Sequence, residues 1–367
     1  MFENEIRNNV LHSYFERLGY KPEETSGSKK FKIFDSSEDE LNSLNNGVGL
    51  RDISDSGIFE LTGKDVLDYL HRISTNSLKD LGKDSVAETI FTTEKGRIID
   101  TATILNFEDH QLLICSNAFK DKVKSWIDKY IIMDDVKISD TKGKYSLLEL
   151  IGPQAESFMM LVCGSAVSQV EANKFKSIMG EGIVFNLIRK VDKSGSQKFW
   201  ILSSPENSIK LVDFLLNNKG IYDFNLVGED AYNCYRIMKG IPSAPSELND
   251  QFNPHEANLL DLVSNSKGCY IGQEVIARLE TYDKVQKHLK GISFNEPVSR
   301  NGQMNLFDKS GNEAGVVTST GYFLKCGKHV GLAYIKKSFA ENGNELVVKD
   351  SSGKEYPITV ENLPFRK

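Results

Sequence analysis

The feature that most constrains the fold is a change of pattern near residue 288. From there to residue 367, short β-prone runs alternate with polar turns, and the runs cover residues 289–294, 315–319, 331–335, 345–348 and 357–360. Short strands with frequent turns are typical of a small barrel or a sandwich. The sequence therefore predicts a separate C-terminal β unit at 288–367.

Upstream of that point, helical and strand patterns mix. Apolar spacing predicts a helix over 66–73 and another over 119–130, and two strands over 86–91 and 98–105 joined by a glycine-containing turn. Residues 145–226 are expected to form a compact α+β unit, and residues 230–239 a further helix. The polar stretch 22–46 is interpreted as a loop with one short strand. A chain of 367 residues is too long for one ordinary core, so two or three domains are expected.

Composition excludes several classes of protein. A net charge of −6 gives no electrostatic footprint for nucleic acid, and no apolar run approaches the roughly 20 residues that span a bilayer. The acidic N-terminus has no apolar segment typical of a secretory signal. Five widely spaced cysteines indicate no disulfide framework, and neither they nor the six histidines form a metal-ligand pattern. We expect a soluble cytoplasmic protein with no metal site.

One short segment carries the strongest chemical signal. A cysteine stands between a lysine and two glycines, directly before a helix-like run: Lys267-Gly268-Cys269-Tyr270-Ile271-Gly272-Gln273-Glu274. Glycines allow sharp turns, and a helix start offers unpaired N–H groups and partial positive charge. A thiol in that setting ionises more easily than a free one. Cys269 is therefore the first candidate for a reactive or ligating group, although free cysteines are also often buried for structural reasons.

The neighbours of Cys269 receive narrower predictions. Lys267 either favours ionisation of the thiol or binds an anionic ligand; the alternative is a solvated surface lysine. Gly268 and Gly272 are interpreted as conformational requirements, and Tyr270 as a packing residue. Gln273 and Glu274 are interpreted as caps of the following helix, with a place in its first turn as the alternative for Glu274.

Segments spread along the chain resemble the glycine-cleavage T-protein (aminomethyltransferase) superfamily. They occur in the same order as in that superfamily, from about residue 48 to the C-terminus. The matching segments are Gly49-Leu50-Arg51-Asp52-Ile53-Ser54, Leu61-Thr62-Gly63-Lys64-Asp65, Thr75-Asn76-Ser77, Gly152-Pro153, Arg236 with Gly240-Ile241-Pro242, Pro254-His255-Glu256, Gly315-Val316-Val317-Thr318-Ser319 and Leu363-Pro364-Phe365.

Within that superfamily, the Lys-Gly-Cys-Tyr-x-Gly-Gln-Glu run is similar to the signature of the YgfZ-type folate-binding proteins. That group is linked to maintenance of iron–sulfur clusters and to tRNA modification. Aminomethyltransferases do not carry the cysteine as a signature.

A second position favours the same subgroup. The T-protein has a Gly-Gly-x-x-Asp-Asp run whose second aspartate assists one-carbon transfer beside the folate. The matching run here is Gly96-Arg97-Ile98-Ile99-Asp100-Thr101. A threonine supplies no carboxylate charge and no base near neutral pH. The T-protein's Tyr-Thr-Gly-Glu segment is also not recognisable between residues 189 and 200.

The resemblance implies an α+β fold of three parts around a central cavity. These are a discontinuous first domain (1–145, completed by about 227–287), a ferredoxin-like domain (146–226) and a C-terminal β-barrel (288–367). It also implies that tetrahydrofolate or a derivative binds in the cavity. Arg236 would then face the cavity and hold a carboxylate, rather than form a surface ion pair, and Asp100 would contact ligand or cap a strand end. Lys267 gains a possible role at the folate tail. The full set of predicted cofactor-binding residues is Arg236, Asp100, Tyr270, Gly268, Gly272, Gln273 and Glu274, with Cys269 and Lys267 as the reactive pair.

Three hypotheses of function follow. The first is a folate-binding accessory protein for iron–sulfur cluster assembly or repair, in which Cys269 makes transient contact with a cluster and the partners are assembly or client proteins. The second is a folate-dependent aminomethyl- or methyltransferase. The third is a scaffold that binds partner proteins and no folate. Replacement of the catalytic aspartate by Thr101 favours a non-enzymatic assembly factor.

Overall fold

A computed structural model describes residues 9–25, 28–141, 143–192, 195–281, 284–298, 302–323 and 327–365. Cys326 and the acidic N-terminal residues considered above lie outside these ranges. The helices of the described chain are α1 (Val10–Arg17), α2 (Ser37–Asn46), α3 (Val66–Ile73), α4 (Lys120–Tyr130), α5 (Ala155–Cys163), α6 (Pro205–Asn217), α7 (Glu229–Lys239) and α8 (Gln273–Thr281).

Strands alternate with these helices up to residue 226 and then dominate from residue 287. The first group is β1 (Glu23–Thr25), β2 (Ser28–Lys30), β3 (Val48–Asp52), β4 (Gly57–Thr62), β5 (Ser85–Thr92), β6 (Ile98–Asn106), β7 (Gln111–Cys115), β8 (Lys137–Asp140), β9 (Ser146–Ile151), β10 (Lys174–Gly180), β11 (Ile183–Val191), β12 (Gln197–Ser203) and β13 (Phe224–Leu226). The second group is β14 (Lys287–Phe294), β15 (Met304–Phe307), β16 (Glu313–Phe323), β17 (Lys328–Lys336), β18 (Glu345–Lys349) and β19 (Glu355–Glu361).

A single large sheet organises the first group of strands. Its order is β13-β3-β9-β12-β11-β10-β5-β6-β7-β4-β8. The two halves of the sheet meet at β10 and β5, which share one register pair, Lys174 with Ser85. Because β3 lies in the same half as the strands after residue 146, the sheet runs continuously past the predicted boundary near residue 145. The order of strands in this sheet thus does not mark a domain boundary, and the predicted domain boundaries stay a prediction.

Each half of the sheet buries one face against helices. In one half, Leu148 and Leu187 share a core with Phe158 of α5 and Leu211 of α6. In the other half, a second core joins strands β4, β6 and β7 to α3 and α4, with members Phe59, Ile104, Leu113, Tyr69 and Val123. Apolar residues on alternate strand positions and at helical spacing bring about this packing.

The C-terminal strands close into a barrel. The order β14-β17-β16-β15-β18-β19 is completed by pairing of β14 with β19. Its interior is apolar and includes Ile292, Leu306, Val348 and Tyr356. Of the barrel and the sandwich that the sequence left open, the structure has the barrel. The expected α+β class is confirmed, and no helix of the described residues is long and apolar enough to cross a lipid bilayer.

The interpretation of residues 22–46 as a loop is wrong. The strands β1 and β2 form a hairpin there, and α2 follows. The Ser36 hydroxyl caps α2 by accepting the Asp39 N–H, and Leu41 and Leu44 are buried. The buried Glu40 carboxylate accepts the Gly228 N–H across the interface with the start of α7. The helix is hard to recognise because most of its residues are polar and tertiary contacts supply its stability.

Candidate functional site

Cys269 lies at an exposed bend just before α8. Gly268 and Cys269 are both exposed, whereas the flanking Lys267 and Tyr270 are buried. The thiol therefore stands at the surface between two buried neighbours. Of the cysteines that the structure describes, Cys115 and Cys234 are buried and Cys163 is half-buried.

Lys267 is a buried lysine that binds backbone. Its side chain is only 9% exposed, and Nζ donates to the carbonyl oxygens of Ser74 (2.7 Å), Asn76 (2.8 Å) and His71. An ammonium has three donors, so all are used. The surface interpretation of Lys267 is thus wrong, and no donor remains for a folate tail or for the thiol. Burial lowers the pKa of Lys267 to about 8.

The two glycines of the segment differ. Gly272 has φ +86°, and a Cβ there would lie 2.6 Å from the Thr93 carbonyl oxygen, so a glycine is required. Gly268 does not have a positive φ, and open space surrounds the position of its missing Cβ. The prediction that Gly268 is a conformational requirement is therefore wrong, because neither backbone angle nor crowding demands it.

The end of the segment starts α8. The Gln273 N–H donates to the Tyr270 carbonyl (3.2 Å), and Glu274 lies in the first turn as expected. The Glu274 carboxylate forms an exposed i,i+4 ion pair with Arg278 (2.7 Å). The Tyr270 ring centroid lies 5.1 Å from Lys267 Nζ, so the tyrosine packs beneath the bend.

Asp100 is a buried aspartate. Its side chain is 1% exposed, and Oδ2 accepts the N–H and hydroxyl of Ser116 (2.9 and 2.6 Å) while Oδ1 accepts the Thr101 N–H. Burial raises the pKa of Asp100 to about 6. The prediction of ligand contact is wrong in this structure, because the carboxylate is buried and accepts three hydrogen bonds from the chain itself. The capping alternative is the arrangement observed.

Arg236 forms an ion pair, but one that is buried rather than on the surface. The guanidinium is 7% exposed; it donates to Glu247 Oε2 (2.9 Å) and to the Ser319 hydroxyl (2.6 Å). The Ser319 hydroxyl donates to Glu247 Oε1 (2.6 Å), which closes the network. Arg236 therefore forms a buried ion pair linking α7, the following loop and β16. The surface alternative is therefore wrong, and the cavity-facing role stays a prediction.

The sheet carries a chain of polar contacts that the sequence analysis missed. It begins at the junction of the two half-sheets, where Lys190 Nζ contacts Glu88 Oε1 (2.7 Å) and the Thr103 hydroxyl (3.0 Å). The same ammonium lies 3.6 Å from the Trp200 ring centroid. We call this set and its continuation the polar chain: Thr103, Glu88, Lys190, Trp200, Lys198, Glu149, Arg51 and Tyr232.

The polar chain continues along the strands towards α7. The Trp200 indole N–H donates to Glu149 Oε1 (3.0 Å), which also contacts Lys198 Nζ (2.8 Å). Glu149 Oε2 accepts from Arg51 (2.7 Å), whose guanidinium lies over the Tyr232 ring of α7 at 3.2 Å. One face of the sheet thus joins both half-sheets and α7 through charge-assisted contacts.

Two charges of the polar chain are accessible. The Glu88 side chain is 43% exposed and that of Lys198 is 36% exposed, while their partners Lys190 and Glu149 are buried. Burial would raise the pKa of Glu88, but Lys190 and Lys198 outweigh it and lower that pKa. Burial likewise opposes ionisation of Glu149, and Lys198 and Arg51 nevertheless hold its pKa well below the usual range. Glu88 and Lys198 therefore present opposite charges that can meet a polar ligand.

A sequence signal for the polar chain exists. The clearest case is Glu149, which stands among apolar residues in β9, while Glu88 in β5 and Lys190 in β11 are charged residues within strands that also hold other polar residues. Buried charges in strands need partners. The partners come from distant strands, so the sequence alone does not identify them. The described residues contain no group of three or more His, Cys, Asp or Glu side chains that could hold a metal ion.

Comparisons with known proteins identify the family and the fold of the chain. Two family models cover most of the chain, the GCVT N-terminal domain over residues 11–267 and the glycine cleavage T-protein C-terminal barrel domain over residues 287–367. A putative chloroplastic transferase of Arabidopsis thaliana is 30% identical over 348 residues, covering 94% of this chain and 78% of the relative. An aminomethyltransferase of Lysinibacillus sphaericus is 26% identical, covering 99% of each chain.

A solved structure has the same fold. The crystal structure of glycine cleavage system aminomethyltransferase T from Bartonella henselae superposes with a TM-score of 0.82, at 20% identity and covering 97% of each chain.

Proposed function

Since the chain belongs to the glycine cleavage T-protein family, we propose that it is a folate-binding accessory protein for iron–sulfur cluster assembly or repair. In this proposal, folate binds against the polar chain, and the exposed Cys269 thiol makes transient contact with a cluster carried by an assembly or client protein. The YgfZ-type signature around Cys269 and the exposure of its thiol support the second part.

One observation carries the preference for a non-catalytic role. Successive residues of a strand point to opposite faces. Thr103 contacts Lys190 on the polar-chain face, so Thr101 shares that face and Asp100 does not. The remaining carboxylate of the Asp-Thr pair is held by Ser116 on the other side of the sheet. Thr101, which stands where the T-protein has its second aspartate, supplies no charge for one-carbon transfer.

The accessible members of the polar chain suit a folate. The carboxylate of Glu88 can accept hydrogen bonds from a pterin ring, and the ammonium of Lys198 can donate to a tail carboxylate. The Trp200 ring lies between them in the chain of contacts, so ligand binding is expected to change its fluorescence.

The folate part is tested by titration with tetrahydrofolate. We expect tetrahydrofolate to quench the tryptophan fluorescence of wild type and of Trp126→Phe, but not that of Trp200→Phe. We also expect weaker tetrahydrofolate binding in Glu88→Gln and Lys198→Gln. Lys95→Gln, which changes a turn outside the polar chain, is the matched control. Absence of any fluorescence or thermal shift at millimolar ligand would favour the scaffold hypothesis over folate binding.

The cysteine part is tested in a host that lacks its own copy of the gene. We expect wild type, but not Cys269→Ala, to restore iron–sulfur enzyme activity, with Cys163→Ala as the control for loss of an unrelated thiol. Full rescue by Cys269→Ala would rule out a chemical role for this thiol. Iron content and folate affinity of the anaerobically purified proteins separate loss of cluster contact from loss of ligand binding.

A folate-dependent aminomethyltransferase is the second candidate. Its specific support is Glu88, a half-exposed carboxylate on the same sheet face as Thr101. Relatives named aminomethyltransferase cover nearly the whole chain. Steady turnover with tetrahydrofolate and a lipoyl-bound aminomethyl donor, lost in Glu88→Gln, would establish this candidate and overturn the accessory role.

A further inference from the structure

The bend that carries Cys269 is fixed at both ends. At the first end, the Ser264 N–H donates to the Thr75 carbonyl (3.1 Å), and the Thr75 hydroxyl donates to the Leu262 carbonyl (2.7 Å). Lys267 adds its bonds to the carbonyls of His71, Ser74 and Asn76. We call residues 71–76 with 262–267 the first anchor.

A second anchor follows the thiol. The Thr92 hydroxyl donates to the Ile271 carbonyl (2.7 Å), and Gly272 packs against the Thr93 carbonyl. Ile271 also packs against the core that contains α3 and α4. Between the anchors, Gly268 and Cys269 are the two exposed residues. The thiol is thus held at the surface by contacts on either side of it.

Lys267 brings both hydrogen-bond donors and a positive charge to this place. The carbonyls of His71 and Ser74 lie at the C-terminal end of α3, where helix carbonyls have no intrahelical partner and carry partial negative charge. An ammonium offers three N–H donors and a positive charge to this group of carbonyls. A methionine of similar length offers neither.

We propose that Lys267 is the positioning residue for the Cys269 thiol. Its ammonium holds the first anchor against the end of α3, so that the three-residue span 268–270 to the second anchor has one conformation. Lys267 acts through backbone carbonyls and touches neither the thiol nor a ligand. This inference rests on the proposed role of Cys269 for its biological meaning, but its physical content concerns the bend alone.

The test measures the mobility of a nitroxide attached to Cys269. Cys163 and Cys326 are replaced by serine so that the label is specific. We expect an immobilised spectrum in the parent and a mobile spectrum in Lys267→Met, with a several-fold faster reaction of the unlabelled thiol with a disulfide reagent. Lys79→Met is the matched control, because Lys79 is exposed and its ammonium lies 3.7 Å from the Asp68 carboxylate of α3, outside the first anchor. A folded Lys267→Met with parent-like mobility and reactivity overturns the proposal.

A second measurement does not depend on folding of the methionine variant. Burial lowers the pKa of Lys267 to about 8, and a neutral amine directs a lone pair at one carbonyl. The titratable groups beside Lys267 are Tyr270 and His71. Burial and the charge of Lys267 lower the pKa of His71, so that its imidazole is neutral above pH 7. The label in the parent should gain mobility between pH 7 and 9, and that in Lys267→Arg should not change. Equal pH profiles for the two proteins contradict a positioning role.

The two proposals fail separately. The nitroxide experiment uses purified protein without folate or cluster, so it reports on Lys267 whatever the function is. If the label behaves as expected while Cys269→Ala rescues fully in the host, the iron–sulfur role falls and the positioning role stands.

Discussion

Arg236 of α7 forms a buried ion pair with Glu247, and the Ser319 hydroxyl of β16 bridges the two side chains. Three segments meet there: α7, the loop directly after it and the barrel, which is distant from both in sequence. The Tyr334 hydroxyl, also from the barrel, donates to the Glu247 carbonyl (2.9 Å). The network therefore fixes the barrel to α7 and to the loop after α7.

The first prediction concerns this ion pair. Arg236→Met leaves the Glu247 carboxylate buried without its cation, and breaking a buried pair in this way costs about 3 to 5 kcal/mol. We expect a loss of that size in the free energy of unfolding, measured in urea. Arg278→Ala, which breaks the exposed Glu274–Arg278 pair, should cost less than about 1 kcal/mol. Comparable losses in the two variants would show that the buried network adds no stability.

The second prediction uses the pH dependence of Asp100. Burial raises its folded pKa to about 6, above the ordinary value of 3.8 for an aspartate, so the protonated form favours folding. Its favourable contribution is complete below pH 4 and is lost as the pH rises through 6. Relative to Asp100→Asn, wild type should gain roughly 2 to 3 kcal/mol of unfolding free energy between pH 7 and 4. A difference between the two proteins that does not vary with pH contradicts the assignment.

The third prediction concerns thiol reactivity in the native protein. Burial raises the pKa of Cys163 and of Cys234 to about 11, and it raises that of Cys115 further. These thiols stay protonated at pH 8 and are poor nucleophiles. In a Cys326→Ser background, a disulfide reagent should therefore modify one thiol rapidly, and Cys269→Ala should abolish that phase. Persistence of the rapid phase in Cys269→Ala would assign it to a different cysteine.

The fourth prediction compares two glycines four residues apart. Gly272→Ala forces a Cβ to within 2.6 Å of a backbone oxygen at a positive φ, and strain of this kind costs about 1 to 3 kcal/mol. Gly268→Ala meets no atom within 4 Å and should change stability little. Thermal unfolding of the two variants checks this. Equal melting temperatures would mean that the bend near Gly272 relaxes at no cost.

The sequence predicted some elements well and others not at all. The helix Val66–Ile73 and the strands Ser85–Thr92 and Ile98–Asn106 follow their apolar periodicity closely. The helix Ser37–Asn46 was missed because polar residues obscure its buried leucines. Periodicity identifies an element where burial of one face is strong, and fails where contacts from other segments supply the stability.

The same limit applies to the candidate site. The octapeptide and its exposed cysteine could be picked out from residue types, and Glu274 in the first turn of a helix follows from the same pattern. The roles of Lys267, Arg236 and Asp100 could not, because each depends on a partner far away in the chain: the carbonyls at the end of α3, Glu247 with Ser319, and Ser116.

The sequence by itself determined the class of fold, the C-terminal β unit, the family resemblance and the position of the candidate thiol in the chain, because these depend on local pattern and residue type. Only the tertiary structure decided which charged groups are satisfied and which remain open to a ligand. Charge pairing depends on distances between atoms of remote strands, as for Glu88 with Lys190 across the junction of the half-sheets. Such distances exist only once the chain has folded.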